Sequence, residues 1–268
     1  MTAASVDELV VSRQCQGAVV EVTFNRPHRH NAFTSVMYDG LRDLFSALTD
    51  DQDAHVVVFR GAGAVAFAAG NDIAEFATMT EGSQAVAYES RIRALLMDLG
   101  RLPQVSVAAI DGLCVGGGLA VATYCDLRLA TSSSRFGYPI ARTLGNALSR
   151  PLLERCVHVF GESMTRQMLL ASRLIDAHRA FELGALLAVT DCRTALDREV
   201  ETLVTGLLQA APATLRTTKE QLAQITAYAG DVDHDEHLLE RVYGGPAFRE
   251  GVRAFLAKER PDFRQATS

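Results

Sequence analysis

The chain is poor in the features that mark several protein classes. Its five cysteines (Cys15, Cys114, Cys125, Cys156 and Cys192) are scattered, odd in number and nowhere spaced C-x-x-C. That argues against a disulfide framework or a zinc ribbon and suits a reducing compartment. No apolar run approaches the ~20 residues that span a bilayer. Basic residues are in the minority, 26 Lys and Arg against 32 Asp and Glu, for a formal net charge of -6. No general attraction to nucleic acid or to an anionic membrane is expected, and no basic stripe marks a nucleic-acid interface. The opening residues Met1 to Glu8 lack the basic-then-apolar order of a signal peptide. No G-x-G-x-x-G follows a first strand, and no Pro-, Gly- or Ser-rich linker divides the chain. What remains is a cytoplasmic, soluble α/β protein. Its 268 residues, 48% hydrophobic, are enough for a sizeable core in one compact unit.

The most informative stretch runs from Val105 to Asp126. Val105–Ile110 is short and β-branched, which predicts a buried strand, and Leu119–Tyr124 holds good helix formers without a breaker. Between them stands the triplet Gly116-Gly117-Gly118. A strand, a glycine turn and a helix start leave the first helical N–H groups without partners in the helix. Those donors suit an anion or a developing oxyanion. A plain tight turn with close helix–strand packing would read the same way. A second loop, Ala68-Ala69-Gly70-Asn71-Asp72, also offers an accessible backbone N–H directly after a β-like run. Taken together, the two loops suggest a pair of amides converging on one carbonyl oxygen, an arrangement that polarises a thioester and stabilises its enolate.

Along the rest of the chain, Glu8–Cys15 and Gly17–Phe24 predict a hairpin. Phe33–Leu48 predicts a helix capped by Thr34 or Ser35, and His55–Arg60 a second buried strand. Residues 83–101 read as a long helix with Ile92, Leu95, Leu96 and Leu99 on one side. Leu127–Ala130 and Ser134–Gly137 are short strand candidates, and from Ser149 to Ala257 the chain reads as almost wholly helical. The order strand, strand, helix repeats in the first half. We divide the single unit into a core over residues 1–200 and a helical region over 201–268. Contacts between subunits, or a cap folded back on the same chain, would account for the apolar residues of that last region.

The combination of Asn25-Arg26-Pro27 with Asn31-Ala32, Ala66–Ile73, Asp111-Gly112 with the glycine triplet, Cys125-Asp126, Phe136-Gly137 and Phe248–Lys258 closely resembles the crotonase family, the enoyl-CoA hydratase/isomerase superfamily. The likeness covers nearly the whole chain. It implies a spiral of strand–strand–helix turns with a helical C-terminal trimerisation region, assembled as a homotrimer or a dimer of trimers. It also implies a coenzyme A thioester as substrate, with no tightly bound cofactor and no metal. The backbone N–H groups of Asn71 and Gly117 would hold the thioester oxygen. By the same likeness His28, Arg29 and His30 would line the coenzyme A groove, with Ala69 and Ile73 near the adenine. Phe255 and Lys258 would approach the nucleotide, from this chain or a neighbouring subunit.

The pattern breaks where the family's hydratases place their two glutamates. Ala120 and Ile140 stand at those positions, and neither side chain can donate, accept or orient water. They line a drier acyl pocket, and hydration by the usual route is not expected. The replacement polar candidates lie in Gly137–Asn146. Arg142 could clamp a carboxylate or pair across an interface. Tyr138 could donate through its hydroxyl or simply pack, and Asn146 could fix a water or serve the turn after Gly145. His30 could act as a base or only line the groove. Asp72 and Glu75 read as helix caps, and Asp126 as a structural cap or turn residue. Asp231–Asp235 imitates a calcium loop, but Glu236 replaces the needed glycine, and the pair His234 and His237 lacks a third ligand. An acyl-CoA lyase or isomerase is expected, performing decarboxylation or C–C or double-bond rearrangement. The alternatives are a non-catalytic acyl-CoA-binding relative and a divergent enoyl-CoA hydratase.

Overall fold

A computed structural model describes residues 8–78, 82–225, 240 and 242–263. Asp231–Asp235, His234 and His237 lie outside them. The chain runs β1 (Leu9–Gln14), β2 (Val19–Phe24), α1 (Ser35–Thr49), β3 (Val56–Gly61), β4 (Ala66–Ala69), α2 (Gly82–Arg101), β5 (Val105–Ile110), β6 (Leu113–Val115) and α3 (Gly117–Tyr124). It continues with β7 (Leu127–Thr131), β8 (Arg135–Gly137), α4 (Ile140–Thr143), α5 (Arg150–Phe160), α6 (Glu162–Leu170), β9 (Ile175–Asp176), α7 (Ala177–Glu182) and β10 (Ala188–Thr190). The last described helices are α8 (Arg193–Gln209), α9 (Pro212–Ile225) and α10 (Pro246–Ala257).

Among the described residues the strands form a six-stranded sheet, β1-β2-β3-β5-β7-β10, and a four-stranded sheet, β4-β6-β8-β9. The segments β3–β4, β5–β6 and β7–β8 each place their first strand in the large sheet and their second in the small one. This is the expected strand–strand–helix spiral. Neighbours from β2 to β10 pair in parallel, and β1 closes the edge antiparallel in the register Leu9↔Phe24 to Gln14↔Val19. Parallel strands covered on both faces should be apolar along their length. All six residues of β5 are buried.

The two faces of the large sheet separate by strand alternation. Val20, Val22, Phe24, Val57, Phe59, Ala108 and Ile110 turn toward the main core, where α1 and α2 supply Leu41, Phe45, Leu96 and Leu99. Val19, Val56, Val58, Val107 and Ala109 turn the other way and meet Leu196, Val200 and Val204 of α8. Thr34 caps α1, its side chain accepting from Met37 N at 3.2 Å.

Two findings differ from the sequence reading, and a third matches one of its two alternatives. The two- and three-residue strands β9 and β10 interrupt the stretch read as helical; such pieces are too short to carry a period-2 pattern. Residue 200 falls inside α8, which packs on the core sheet, so the division into 1–200 and 201–268 cuts a helix rather than a boundary. Of the last helices, α10 folds back on its own chain, packing Phe248 and Val252 against Ile73, Phe76 and Ala85.

Asp126 has the structural role expected of it. It accepts from Ser106 N at 2.7 Å and Ser106 Oγ at 2.8 Å, and pairs with Lys219 Nζ of α9 at 2.7 Å. No helix among the described residues is long and apolar enough to cross a membrane.

Candidate active site

The two loops singled out in the sequence abut. Phe33 N donates to Gly70 O at 2.8 Å and Asp72 N donates to Phe33 O at 2.7 Å, a parallel bridge centred on Asn71. Amides of successive extended residues point to opposite sides. With Gly70 and Asp72 bonded to Phe33, the N–H of Asn71 is directed away from it. Gly117 is the first residue of α3, so its N–H has no carbonyl one turn back within the helix. Gly116 ahead of it takes φ 54 and ψ -126, a conformation that a side chain would strain. The close approach of the loops also requires Gly118, where a Cβ would stand 2.2 Å from Ala68 O.

Asn71 and Gly117 line one cavity of about 470 Å³. Tyr38, which sequence reasoning missed, locks the first of them: its hydroxyl donates to Asn71 Oδ1 at 2.6 Å. Burial holds the Tyr38 phenol well above its ordinary pKa, so it remains a donor. Glu75 caps a helix, though not its own; it accepts from Ser35 N at 2.9 Å, at the start of α1. Asp72 accepts from Ala74 N at 3.1 Å and pairs with Arg26 at 2.9 Å.

The remaining candidates divide by burial. His28, Arg29 and His30 are exposed and line the cavity together with the half-buried Ala69, the buried Ile73 and the exposed Phe255. Phe255 comes from the same chain, on α10. Ala120 and Ile140 are both in the wall, as are Tyr138 and Asn146. Arg142 and Lys258 stand apart from these residues. Both are exposed and neither belongs to the cavity wall; Lys258 instead ends α10 in the left-handed conformation, φ 57.

Tyr138 is 1% exposed, and its hydroxyl has no hydrogen-bond partner among the described residues. Burial pushes its phenol pKa well up. Asn146 Nδ2 donates to Tyr243 Oη at 3.0 Å, while Asn146 Oδ1 is also buried without a partner among the described residues. Tyr243 in turn donates to Glu89 Oε1. Glu89, on α2, is 6% exposed and lines the same cavity. The sequence reading did not single it out. Its signal was there: Ala85, Glu89, Ile92, Leu96 and Leu99 follow helical spacing, which puts a glutamate inside an apolar stripe.

The arrangement presents two adjacent backbone amides, a dry wall at Ala120 and Ile140, and a buried polar chain of Asn146, Tyr243 and Glu89. It can polarise a carbonyl and move a proton.

Comparison with known proteins gives one consistent result. The family model for enoyl-CoA hydratase/isomerase matches residues 14–266. The 2,3-dehydroadipyl-CoA hydratase of Escherichia coli (strain K12) is 29% identical over 261 residues, covering 97% of this chain and 99% of that protein. The enoyl-CoA hydratase domain-containing protein 2 of Mus musculus is 29% identical, covering 91% and 84%. Among solved structures, an enoyl-CoA hydratase/carnitine racemase from Magnetospirillum magneticum superposes with a TM-score of 0.78 at 35% identity, over 97% of this chain and 96% of that one.

Proposed function

Given that the chain belongs to the enoyl-CoA hydratase/isomerase family, we propose that it binds an acyl-CoA and carries out enolate chemistry other than hydration. In this reading the thioester oxygen accepts from the N–H groups of Asn71 and Gly117. As charge moves onto that oxygen, both amides strengthen their hold without having to reorganise. Coenzyme A enters as part of the substrate, past His28, Arg29 and His30. The protein works in the cytoplasm as a trimer or a dimer of trimers.

One observation carries the departure from hydration: the wall beside the two amides holds Ala120 and Ile140. Addition of water needs groups that orient and deprotonate it, and neither residue has a polar side-chain atom. A decarboxylase would need a clamp for the leaving carboxylate. Arg142, the sequence candidate, is exposed and outside the wall. Double-bond rearrangement therefore fits better. A pure acyl-CoA binder has no use for buried polar groups in its acyl pocket, yet Tyr138, Asn146 and Glu89 are there.

The test is a pair of assays on the purified protein. Crotonyl-CoA should be hydrated at no more than background rate, while a β,γ-unsaturated thioester such as but-3-enoyl-CoA should be consumed. Robust hydration of crotonyl-CoA would overturn the reading.

A further inference from the structure

A glutamate at an apolar position of a helix is costly to bury unless something compensates its polarity. Here the compensation is directional. The Tyr243 hydroxyl accepts from Asn146 Nδ2 at 3.0 Å, and its single proton is committed to Glu89 Oε1. Asn146 thus sets Tyr243, and Tyr243 sets Glu89 as an acceptor. Glu89 sits within the cavity that holds Asn71 and Gly117, with Tyr138 and Ile92 also in its buried wall. Two of the buried polar atoms that have no partner among the described residues, Tyr138 Oη and Asn146 Oδ1, belong to the same wall. Latching α2 to the segment ahead of α10 does not by itself call for a carboxylate, because a glutamine could accept the same bond.

We propose that Glu89 is the group that moves the proton in this site, replacing from α2 the function that the residues at 120 and 140 lack. The inference rests on the thioester reading above. With a β,γ-unsaturated thioester, the Glu89 carboxylate takes a proton from C2. The C–H electron pair forms a C1–C2 double bond as the carbonyl π pair moves onto oxygen, where the amides of Asn71 and Gly117 receive it. Glu89 is then a carboxylic acid. Collapse of the dienolate returns that proton at C4 and leaves the double bond between C2 and C3. Atoms and electrons balance with no water, oxidant or second substrate consumed, and Glu89 ends as it began. Tyr243 and Asn146 are positioning residues, acting through Glu89.

The experiment follows deuterium. Full-length wild type, Glu89→Gln and Glu89→Asp are incubated with but-3-enoyl-CoA in D2O. Mass spectrometry reads label entering the acyl chain and conversion to crotonyl-CoA, and calorimetry reads affinity for the thioester. Glutamine keeps the bond from Tyr243, so folding and affinity should hold while label and conversion fall at least ~100-fold, the lower end of what a positioned proton carrier contributes. Aspartate keeps the charge but withdraws it by one methylene, so a smaller loss at unchanged affinity is expected. It also serves as the readout if the glutamine variant does not fold. A wild-type rate in either folded variant overturns the assignment to Glu89 and leaves the thioester reading standing. A wild-type protein that neither exchanges nor isomerises the thioester overturns both.

Discussion

The cavity has two kinds of wall, and they answer to different rules. One is made of main chain: the Gly70–Asn71 turn and the Gly116–Gly118 turn, with amides whose positions depend on the absence of side chains. The other is made of side chains from distant segments, Tyr38 of α1, Glu89 of α2, Tyr138 and Asn146, with Tyr243 behind them bonded to Glu89 and Asn146. The first has no group that titrates in any ordinary range. The second is rich in phenols. A backbone donor survives nearly every substitution at its own residue, but it fails if a neighbouring glycine gains a Cβ. A side-chain group has the opposite character; one substitution removes it and the fold remains. On the proposed reading, the part of the site that resists substitution therefore sits in main chain and the adjustable part in side chains.

The largest separation between the two walls should come from alkali. Burial raises the phenols of Tyr38, Tyr88, Tyr138 and Tyr243 above their ordinary pKa. Each keeps its proton in the folded protein while the unfolded chain loses it above pH ~10. The unfolded state then binds fewer protons, so stability is fully present below that pH and declines above it. Each phenol contributes up to ~1.4 kcal/mol per pH unit to the decline. Urea unfolding at pH 9 and pH 11 measures it, and equal midpoints would mean that these four tyrosines, two in the wall and two packed behind it, are not sealed from solvent.

Next in size is Gly117→Pro. It removes one N–H at a helix position that accepts proline, and its ring carbon must displace the Asn71 side chain, which lies 2.5 Å from a Cβ built there. Turnover of any thioester the wild type accepts should fall ~10²–10³-fold, about 3–4 kcal/mol, with the circular dichroism spectrum retained. Undiminished turnover in the folded variant would show that the main-chain wall is not where the reacting oxygen binds.

The smallest effect is expected at Tyr138→Phe. Its hydroxyl is buried without a partner among the described residues, so removing it should leave stability unchanged or raise it by up to ~1 kcal/mol. A loss of stability above ~1 kcal/mol would reveal a bond to the hydroxyl that holds the wall together.

The same contrast decides what was legible in the residues alone. The glycine triplet, the Gly70–Asn71 turn and the β-branched runs at Val56–Val58 and Val105–Ile110 act through local rules, and each could be placed from its neighbours. So could the missing carboxylates at Ala120 and Ile140, because their positions are counted from those landmarks. Glu89 was not legible as part of the site. Its helical stripe could be read, but its partner Tyr243 stands 154 residues later, and no local pattern joins them. The two alternatives for Arg142 stayed open in the sequence for a related reason. This residue is four residues from Tyr138 yet ends on the outer surface, because the short helix α4 (Ile140–Thr143) turns Ile140 inward and leaves Arg142 exposed. Chain proximity is a poor guide to direction where a single helical turn intervenes.

The return of α10 to the cavity has a bearing on biosynthesis. Among the described residues both sheets are complete once β10 has been made, so the strands that carry both glycine turns precede α10 in synthesis. Phe255, Tyr243 and the hydroxyl that steadies Glu89 come only with α10 and the segment ahead of it. On the proposed reading, affinity for the thioester gained during translation would thus mark the arrival of α10 rather than the folding of the sheets.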